Sequence, residues 1–323
     1  MQPLVPFVRD SALGPHDALV DALRAAMPDI DLQIHADIPI DRLGEPTVAI
    51  VDGPSIEQLS TIANLRLVQS TWAGVEAILP AVPDGVEVAR MVDPQLGLTM
   101  AEAVLAWTLY LHRDMPRYAR QQRQADWVEH VPVRASNRRV GILGLGALGR
   151  LAGETLRDQN FDVAGWSRSR KTIDGIACFD DEPGGGGIDA LLERSDIVVN
   201  LLPDTPATVG LLGTEAFARM PPGASLINFG RGPTVDDDAL LAALDGDLET
   251  GAHLDHAVLD VFVTEPLPDD HPYWGHPRVT VLPHISGPTS TDTAAVIAAE
   301  NVRAFLADGT LPIDAIVDRT RGY

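Results

Sequence analysis

The sequence predicts an α/β fold with two doubly wound, parallel-sheet, Rossmann-like domains. Three observations carry this reading. Short apolar runs alternate with amphipathic stretches along most of the chain. One run, Val140-Gly141-Ile142-Leu143, leads into Gly144-Leu145-Gly146-Ala147-Leu148-Gly149, a Gly-x-Gly-x-x-Gly turn between a strand pattern and a helix pattern. The length, 323 residues, suits two domains of ordinary size. Strands that alternate with helices pair in parallel, since each crossover helix returns the chain to the same edge.

The elements follow in order. Val5-Pro6-Phe7-Val8 reads as the first strand and residues 15–27 as a helix. Residues 30–34, 48–51 and 65–69 read as further short strands. Short apolar runs bounded by Pro, Gly and Asp are the trace of buried parallel strands. Residues 100–124 read as one long helix, apolar early and arginine-rich late. A second series opens at Arg139, with strands at 139–143, 162–166 and 197–202 and a helix over 147–160. Strands at 224–229, 258–262 and 279–282 follow, and residues 292–308 form a closing helix. The run Gly184–Gly187 has no strand before it and reads as a surface loop.

Composition narrows the function. The formal net charge is −22, which argues against nucleic acid as a partner, because such binding needs a basic face. An anionic substrate must then be drawn in by local positive charge. No apolar stretch reaches the roughly 20 residues of a membrane span. Met1-Gln2-Pro3 leads straight into a strand-like run, so a cytoplasmic protein without a targeting segment is expected. The single cysteine, Cys178, excludes an internal disulfide and reads as a small buried hydrophobe. His253, His256, His271 and His276 match no metal-ligand spacing, and no catalytic metal is expected.

The glycine turn points to a dinucleotide. Gly144 permits the sharp turn, Gly146 lets a pyrophosphate approach the backbone, and Gly149 lets the helix pack close to the sheet. The amides of Ala147 and Leu148, at the helix start, would face the phosphates. Leu202 and Pro203, at the end of the next strand, are further cofactor-binding candidates. About 20 residues beyond the turn, this fingerprint usually carries an acid for the ribose 2′-hydroxyl. The chain instead offers Ser167, Arg168, Ser169, Arg170 and Lys171, the last being its only lysine. Guanidinium and hydroxyl donors suit a 2′-phosphate. The cluster therefore predicts NADP(H) as the preferred cofactor, with NAD(H) as the alternative.

Four further segments stand out. They are Asn228-Phe229-Gly230-Arg231-Gly232-Pro233, Leu259-Asp260-Val261-Phe262-Val263-Thr264-Glu265-Pro266-Leu267-Pro268, Leu282-Pro283-His284-Ile285-Ser286-Gly287 and Gln69-Ser70-Thr71-Trp72-Ala73-Gly74-Val75-Glu76. With the glycine turn, this ordered set resembles the D-isomer-specific 2-hydroxyacid dehydrogenases, and among them the glyoxylate/hydroxypyruvate reductase branch. The likeness runs from about residue 47 to the C-terminus.

The resemblance implies a flavodoxin-like substrate domain, residues 1–98 and 288–323, into which an NAD(P)-binding coenzyme domain, residues 99–287, is inserted. It implies reduction of a small 2-keto acid to the D-2-hydroxy acid. His284 is then the general acid and Glu265 orients and charges its ring. Arg231 contacts the substrate carboxylate and carbonyl. The amides around Ala73, Gly74 and Val75 cradle the carboxylate, and Asp260 faces the nicotinamide. A histidine suits the proton donor because its pKa lies near neutrality. The helix from Met100, with Trp127 beyond it, is expected to form the hinge and much of a homodimer interface.

Two other functions fit the same fold: a nucleotide-sensing, corepressor-like protein, or another dehydrogenase of the fold, acting on a different, larger keto acid or of the phosphoglycerate or formate type. The basic cluster in an acidic chain favours the first reading, and the length leaves no room for an added regulatory domain. The connection between Gly251 and Leu259 is longer than the family's usual one and is expected to form a loop or extension. Asp52-Gly53-Pro54 is expected at the mouth of the substrate domain, where an acid would disfavour a second carboxylate on the substrate. Trp72 and Trp274 are candidates to line the side-chain pocket.

Overall fold

A computed structural model of the chain describes residues 2–9, 17–53, 57–246 and 253–319. The chain folds as two compact units, one of residues 1–96 and 289–323, the other of residues 97–288.

The first unit is built on β1 (Leu4–Arg9), β2 (Asp31–Ile34), β3 (Val48–Asp52), β4 (Leu67–Ser70) and β5 (Glu87–Ala89). All pair in parallel, in the order β2-β1-β3-β4-β5, the flavodoxin-like order. Every described strand residue of β3 and β4 is buried, as expected of strands covered on both faces. One face packs Val5, Phe7 and Ile50 against α1 (Asp17–Ala26) and α8 (Thr291–Asp308). The other packs Val8, Val51 and Val68 against Leu59, Val75 and Ile78. Each such side chain contributes about 1.5–3 kcal/mol on burial. Residues 15 and 16 of the expected first helix lie outside the described residues, as does Pro54.

The second unit holds β6 (Arg139–Leu143), β7 (Asp162–Trp166), β8 (Ala177–Phe179), β9 (Ile197–Asn200), β10 (Ala224–Asn228), β11 (Leu254–Leu259) and β12 (Val279–Val281). They form one parallel sheet in the order β12-β11-β10-β9-β6-β7-β8. The winding reverses between β6 and β9, and ligands of such sheets bind outside the carboxyl ends of the strands at that switch point. One face is covered by α5 (Gly187–Arg194), α6 (Thr214–Arg219) and α7 (Asp237–Asp245), the other by α2 (Pro94–His112) and α4 (Ala147–Asp158).

Three differences from the sequence reading have physical causes. The long helix expected over 100–124 is two helices, α2 and α3 (Met115–Gln124). Asp114 between them takes a left-handed φ of 54°, and Pro116 opens α3 at a position where its missing N–H costs nothing. β11 begins at Leu254, so of the loop or extension expected here the described residues form the extension, pairing with β10, and the strand ends before Asp260. Residues 251 and 252 of the same connection lie outside the described residues. Cys178 is only half-buried, on the edge strand β8. The glycine run does form a turn, and Gly186 precedes α5.

Candidate active site

At the switch point the chain leaves β6 through Gly144, whose φ is +99°, a conformation that favours glycine. Its N–H donates to the Trp166 carbonyl at 2.9 Å, tying the turn to the end of β7. A Cβ at Gly149 would collide with the Gly144 carbonyl, so this glycine is required for α4 to pack. Around Gly146 the space is open to 4 Å. The N–H groups of Ala147, Leu148 and Gly149 donate to no other described residue. An open backbone before three available amides fits a pyrophosphate. The Leu201 N–H donates to the Leu143 carbonyl at 2.9 Å, which brings Leu202 and Pro203 beside the turn across the β6–β9 pair.

The basic segment follows β7. Ser167 is half-buried, and Arg168, Ser169, Arg170 and Lys171 are exposed. Arg170 departs from the expectation that the whole cluster faces a phosphate. Its Nε lies 3.1 Å from the Asp180 carboxylate and 3.8 Å from that of Glu182. Asp180 also accepts the Glu182 N–H, and hydrogen bonding to Arg170 holds its carboxyl below the usual range. An anion that approaches Arg170 must compete with that pair. This pairing is not legible along the chain, because the competing acids sit beyond an intervening turn.

The second half of the site is built on the ends of β10 and β11. Asn228, 1% exposed, anchors the loop that carries Arg231. The Asn200 amide donates to Asn228 Oδ1 at 2.9 Å and to Thr234 Oγ1 at 2.7 Å. Thr234 Oγ1 donates to the Arg231 carbonyl at 2.5 Å, and Asn228 Nδ2 donates to the same oxygen at 3.3 Å. A Cβ at Gly230 would stand 2.6 Å from the Leu202 carbonyl oxygen. A Cβ at Gly232 would overlap the backbone of Phe262. These two glycines let the arginine loop lie directly against 201–202 and 262–263. Asp236 caps α7 by accepting the Ala239 N–H at 2.9 Å.

Glu265 and His284 meet here. His284 Nδ1 is 2.7 Å from Glu265 Oε2, and the Phe262 N–H donates to Glu265 Oε1 at 2.9 Å. The hydrogen bond to Glu265 raises the His284 pKa above its ordinary value. Burial opposes this rise, the Glu265 and Asp260 charges assist it, and Arg231 opposes it. Burial pushes the Glu265 carboxyl up, but its bonds to His284 and the Phe262 N–H, with the nearby Arg231 charge, bring it below the ordinary value. The hydrogen bond therefore favours the charged imidazolium over the neutral ring, and it engages Nδ1 rather than Nε2.

Asp260 is 2% exposed, and its two oxygens accept the N–H groups of Ile285 and Ser286, each at 2.8 Å. It braces the loop in which His284 takes a φ of +54°. This brace adds to the cofactor-facing role expected from the sequence. Asn200 and Thr234 were not legible as site residues. A buried Asn ending a central strand is their only trace in the sequence.

Ala73, Gly74 and Val75 belong to the first unit. They follow β4 and precede the turn in which Ile78 and Leu79 donate to the Val75 carbonyl. Val75 is 1% exposed, yet the N–H groups of the three residues donate to no other described residue. Backbone donors near the interior are nearly always satisfied, so three in succession mark a place prepared for an acceptor. Asp52, expected at the mouth of this unit, is not an unpaired acid. It is 6% exposed and paired with Arg9 at 3.2 Å. Trp274 is 54% exposed and donates to the Pro268 carbonyl at 2.9 Å.

Among the described residues no cluster of three or more His, Cys, Asp or Glu is arranged to hold a metal. No described helix is long and apolar enough to cross a membrane.

Comparison with known proteins gives consistent likenesses. The profile of the D-isomer specific 2-hydroxyacid dehydrogenase NAD binding domain matches residues 105–286. A glyoxylate/hydroxypyruvate reductase A from Serratia proteamaculans is 40% identical over 282 residues, 85% of this chain and 87% of the relative. A D-isomer specific 2-hydroxyacid dehydrogenase from Xanthobacter autotrophicus Py2, solved with NADPH and MES, superposes with a TM-score of 0.89 at 38% identity, covering 100% of both chains. The NADPH-dependent glyoxylate/hydroxypyruvate reductase of Sinorhizobium meliloti, solved with NADP and sulfate, gives a TM-score of 0.85 at 30% identity over 99% of both chains.

Proposed function

Since the chain belongs to the D-isomer specific 2-hydroxyacid dehydrogenase family, we propose that it is an NADPH-dependent reductase of a small 2-keto acid, of the glyoxylate or hydroxypyruvate type. The observation that carries this reading is the Glu265–His284 pair at 2.7 Å beside Arg231. The nicotinamide, when bound, supplies the hydride that reaches the carbonyl carbon.

The chain's own residues do the rest. His284 holds a proton on Nε2 and gives it to the carbonyl oxygen as that oxygen becomes an alkoxide. Glu265 fixes the ring through Nδ1 and stabilises the charged form. Arg231 holds the substrate carboxylate and polarises the carbonyl, a role that suits its planar fork of donors. The amides of Ala73, Gly74 and Val75 supply the remaining donors to the carboxylate. In this reading residues 97–288 form the coenzyme domain and the first unit the substrate domain.

The cofactor-binding set is Gly144, Gly146, Ala147, Leu148, Leu202, Pro203 and Asp260 for the common part of the dinucleotide. Ser167, Arg168, Ser169 and Lys171 serve the 2′-phosphate, with Arg170 behind them. The protein acts as a cytoplasmic homodimer. Support for pairing comes from the segment after α3, where Trp127 and Val131 are each 92% exposed, an apolar display that marks interaction sites.

Initial rates of hydroxypyruvate reduction with NADPH and with NADH test the function. A clear NADPH preference is the expected outcome. Turnover with NADH preferred removes the phosphate role of the basic segment. Tight NADPH binding without turnover of any 2-keto acid replaces the enzyme by the sensing reading.

A further inference from the structure

The segments that follow β9 and β10 are joined through one buried amide. Asn200 ends β9 and is buried, as are Asn228 and Thr234. Its Oδ1 accepts the Leu202 N–H at 3.2 Å, while its Nδ2 donates to Asn228 Oδ1 at 2.9 Å and to Thr234 Oγ1 at 2.7 Å. Asn228 Oδ1 also accepts the Gly230 N–H at 3.3 Å, which leaves Asn228 Nδ2 for the Arg231 carbonyl. These partners fix which end of each amide is oxygen, since a reversed Asn200 would set its NH2 against the Leu202 N–H. The two segments meet at further points. The Leu202 backbone fills the place a Cβ on Gly230 would take. The Gly210 N–H donates to the Pro233 carbonyl at 2.8 Å, and the Leu212 N–H to the Thr234 carbonyl at 3.0 Å. Thr208 Oγ1 donates to the Pro203 carbonyl at 2.6 Å. Arg231 Nη1 donates to the Gly230 carbonyl at 2.8 Å, so the guanidinium rests on the residue that abuts Leu202.

We propose that Asn200 and Thr234 are positioning residues that couple the two segments, so that a dinucleotide held at 202–203 and a keto acid held at Arg231 each tighten the binding of the other. The inference rests on the reading of Leu202 and Pro203 as cofactor contacts and of Arg231 as the carboxylate anchor, and adds the regulation between them. A side-chain amide is a rigid plane. A shift of 202–203 that draws on Asn200 Oδ1 turns Nδ2 away from Asn228 and Thr234. Thr234 Oγ1 accepts from Asn200 and donates to the Arg231 carbonyl at 2.5 Å. Losing the first bond frees the hydroxyl to rotate out of the second, and buried groups left without partners are costly. A bound dinucleotide that fixes 202–203 keeps this relay closed, and the keto acid then meets an arginine loop already ordered. Linkage makes the effect equal in both directions. Both side chains are buried, so neither reaches a ligand, and they act only through the 202–203 backbone and Arg231.

The experiment is titration of NADPH into the whole chain by calorimetry, without and with saturating oxamate, which carries a carboxylate and a carbonyl but is not reduced. The ratio of the two Kd values is the coupling. Reduced nicotinamide is uncharged, so the ratio does not report attraction between the ring and the anion. In the wild type it is expected to be about tenfold or more, within the usual range for coupled sites. Thr234→Val keeps the shape and removes the hydroxyl, and its ratio is expected to fall about fivefold while the Kd of NADPH alone changes less than about twofold. Asn200→Ala removes the bridge from the other side and should lower the ratio likewise. Thr234→Ser returns the hydroxyl and is expected to return the ratio. Direct contact between the two ligands contributes equally in every variant, so the fall reads the bridge. A ratio near one in a wild type that reduces hydroxypyruvate overturns the coupling. So does an undiminished ratio in Thr234→Val or, should that variant fail to fold, in Asn200→Ala, and the pair is then a support of the fold alone. A wild type that binds NADPH, ignores oxamate and reduces neither glyoxylate nor hydroxypyruvate overturns the function reading itself, and this inference with it.

Discussion

The two units present their chemistry in opposite ways. In the second, charged side chains do the work, and a buried polar network fixes each of them: Asn200 and Thr234 under Arg231, Glu265 against His284, and Asp260 beneath the histidine loop. In the first, the proposed donors are three backbone N–H groups, and the side chains nearby only hold the chain in place. A side chain used for chemistry leaves its identity in the sequence. A backbone amide leaves none, and it is recognised only when the structure shows that nothing else accepts its hydrogen bond.

The contrast can be broken by substitution. Removing a working side chain in the second unit should be drastic. His284→Ala is expected to lower kcat/KM for hydroxypyruvate by about 10³-fold, within the range for loss of a general acid. A loss below tenfold would show that another group gives the proton. Glu265→Gln should lower kcat by about 10²-fold and move the pH profile. The wild-type pair raises the His284 pKa, so the protonated acid persists to higher pH and activity falls as pH rises through that value. The variant loses the supporting charge, and its alkaline limb should shift to lower pH. A limb that stays in place would assign the titration to a different group.

A backbone requirement is tested by adding an atom instead. In Gly232→Ala the new methyl overlaps the Phe262 backbone, and the expected cost is about 1–3 kcal/mol of stability together with displacement of Arg231. Urea unfolding alongside KM for the keto acid reads both effects. An unchanged KM would separate the arginine loop from the strand it touches.

The basic segment gives the smallest effects and a comparison of its own. Arg168→Ala should cut the NADPH over NADH preference by about tenfold, the value of one charge-assisted phosphate contact. Arg170→Ala should cut it by about twofold, because Asp180 and Glu182 already hold that guanidinium. Equal losses at the two positions would mean that a bound phosphate releases Arg170 from its acids.

Much of this was legible before any coordinates. The apolar runs of 139–143, 197–200 and 224–228 are strands where expected, because a strand buried on both faces must be apolar throughout. The glycine turn, the Asn-x-x-Arg-Gly segment, the Glu-Pro segment and the Pro-His segment are local patterns, and their residues are close in sequence to the strands that position them. The break between α2 and α3 was less legible. Its cause is one residue in a left-handed conformation ahead of a proline, within a pattern that otherwise continues as helix. The pairing of Ala177–Phe179 as an edge strand was missed because three residues carry too short a pattern.

The sequence by itself determined the fold class, the family and the residue types that carry the chemistry, because periodicity, turn glycines and motif order are properties of neighbours along the chain. Only the tertiary structure decided which charges are spoken for. Arg170 and Asp180 are ten residues apart, Asp52 and Trp72 twenty, and Asn200 and Thr234 thirty-four. A charge in a sequence has no partner until folding brings one within about 3 Å. That distance makes Arg170 the partner of Asp180, and Asp52 the partner of Arg9, Thr71 and Trp72.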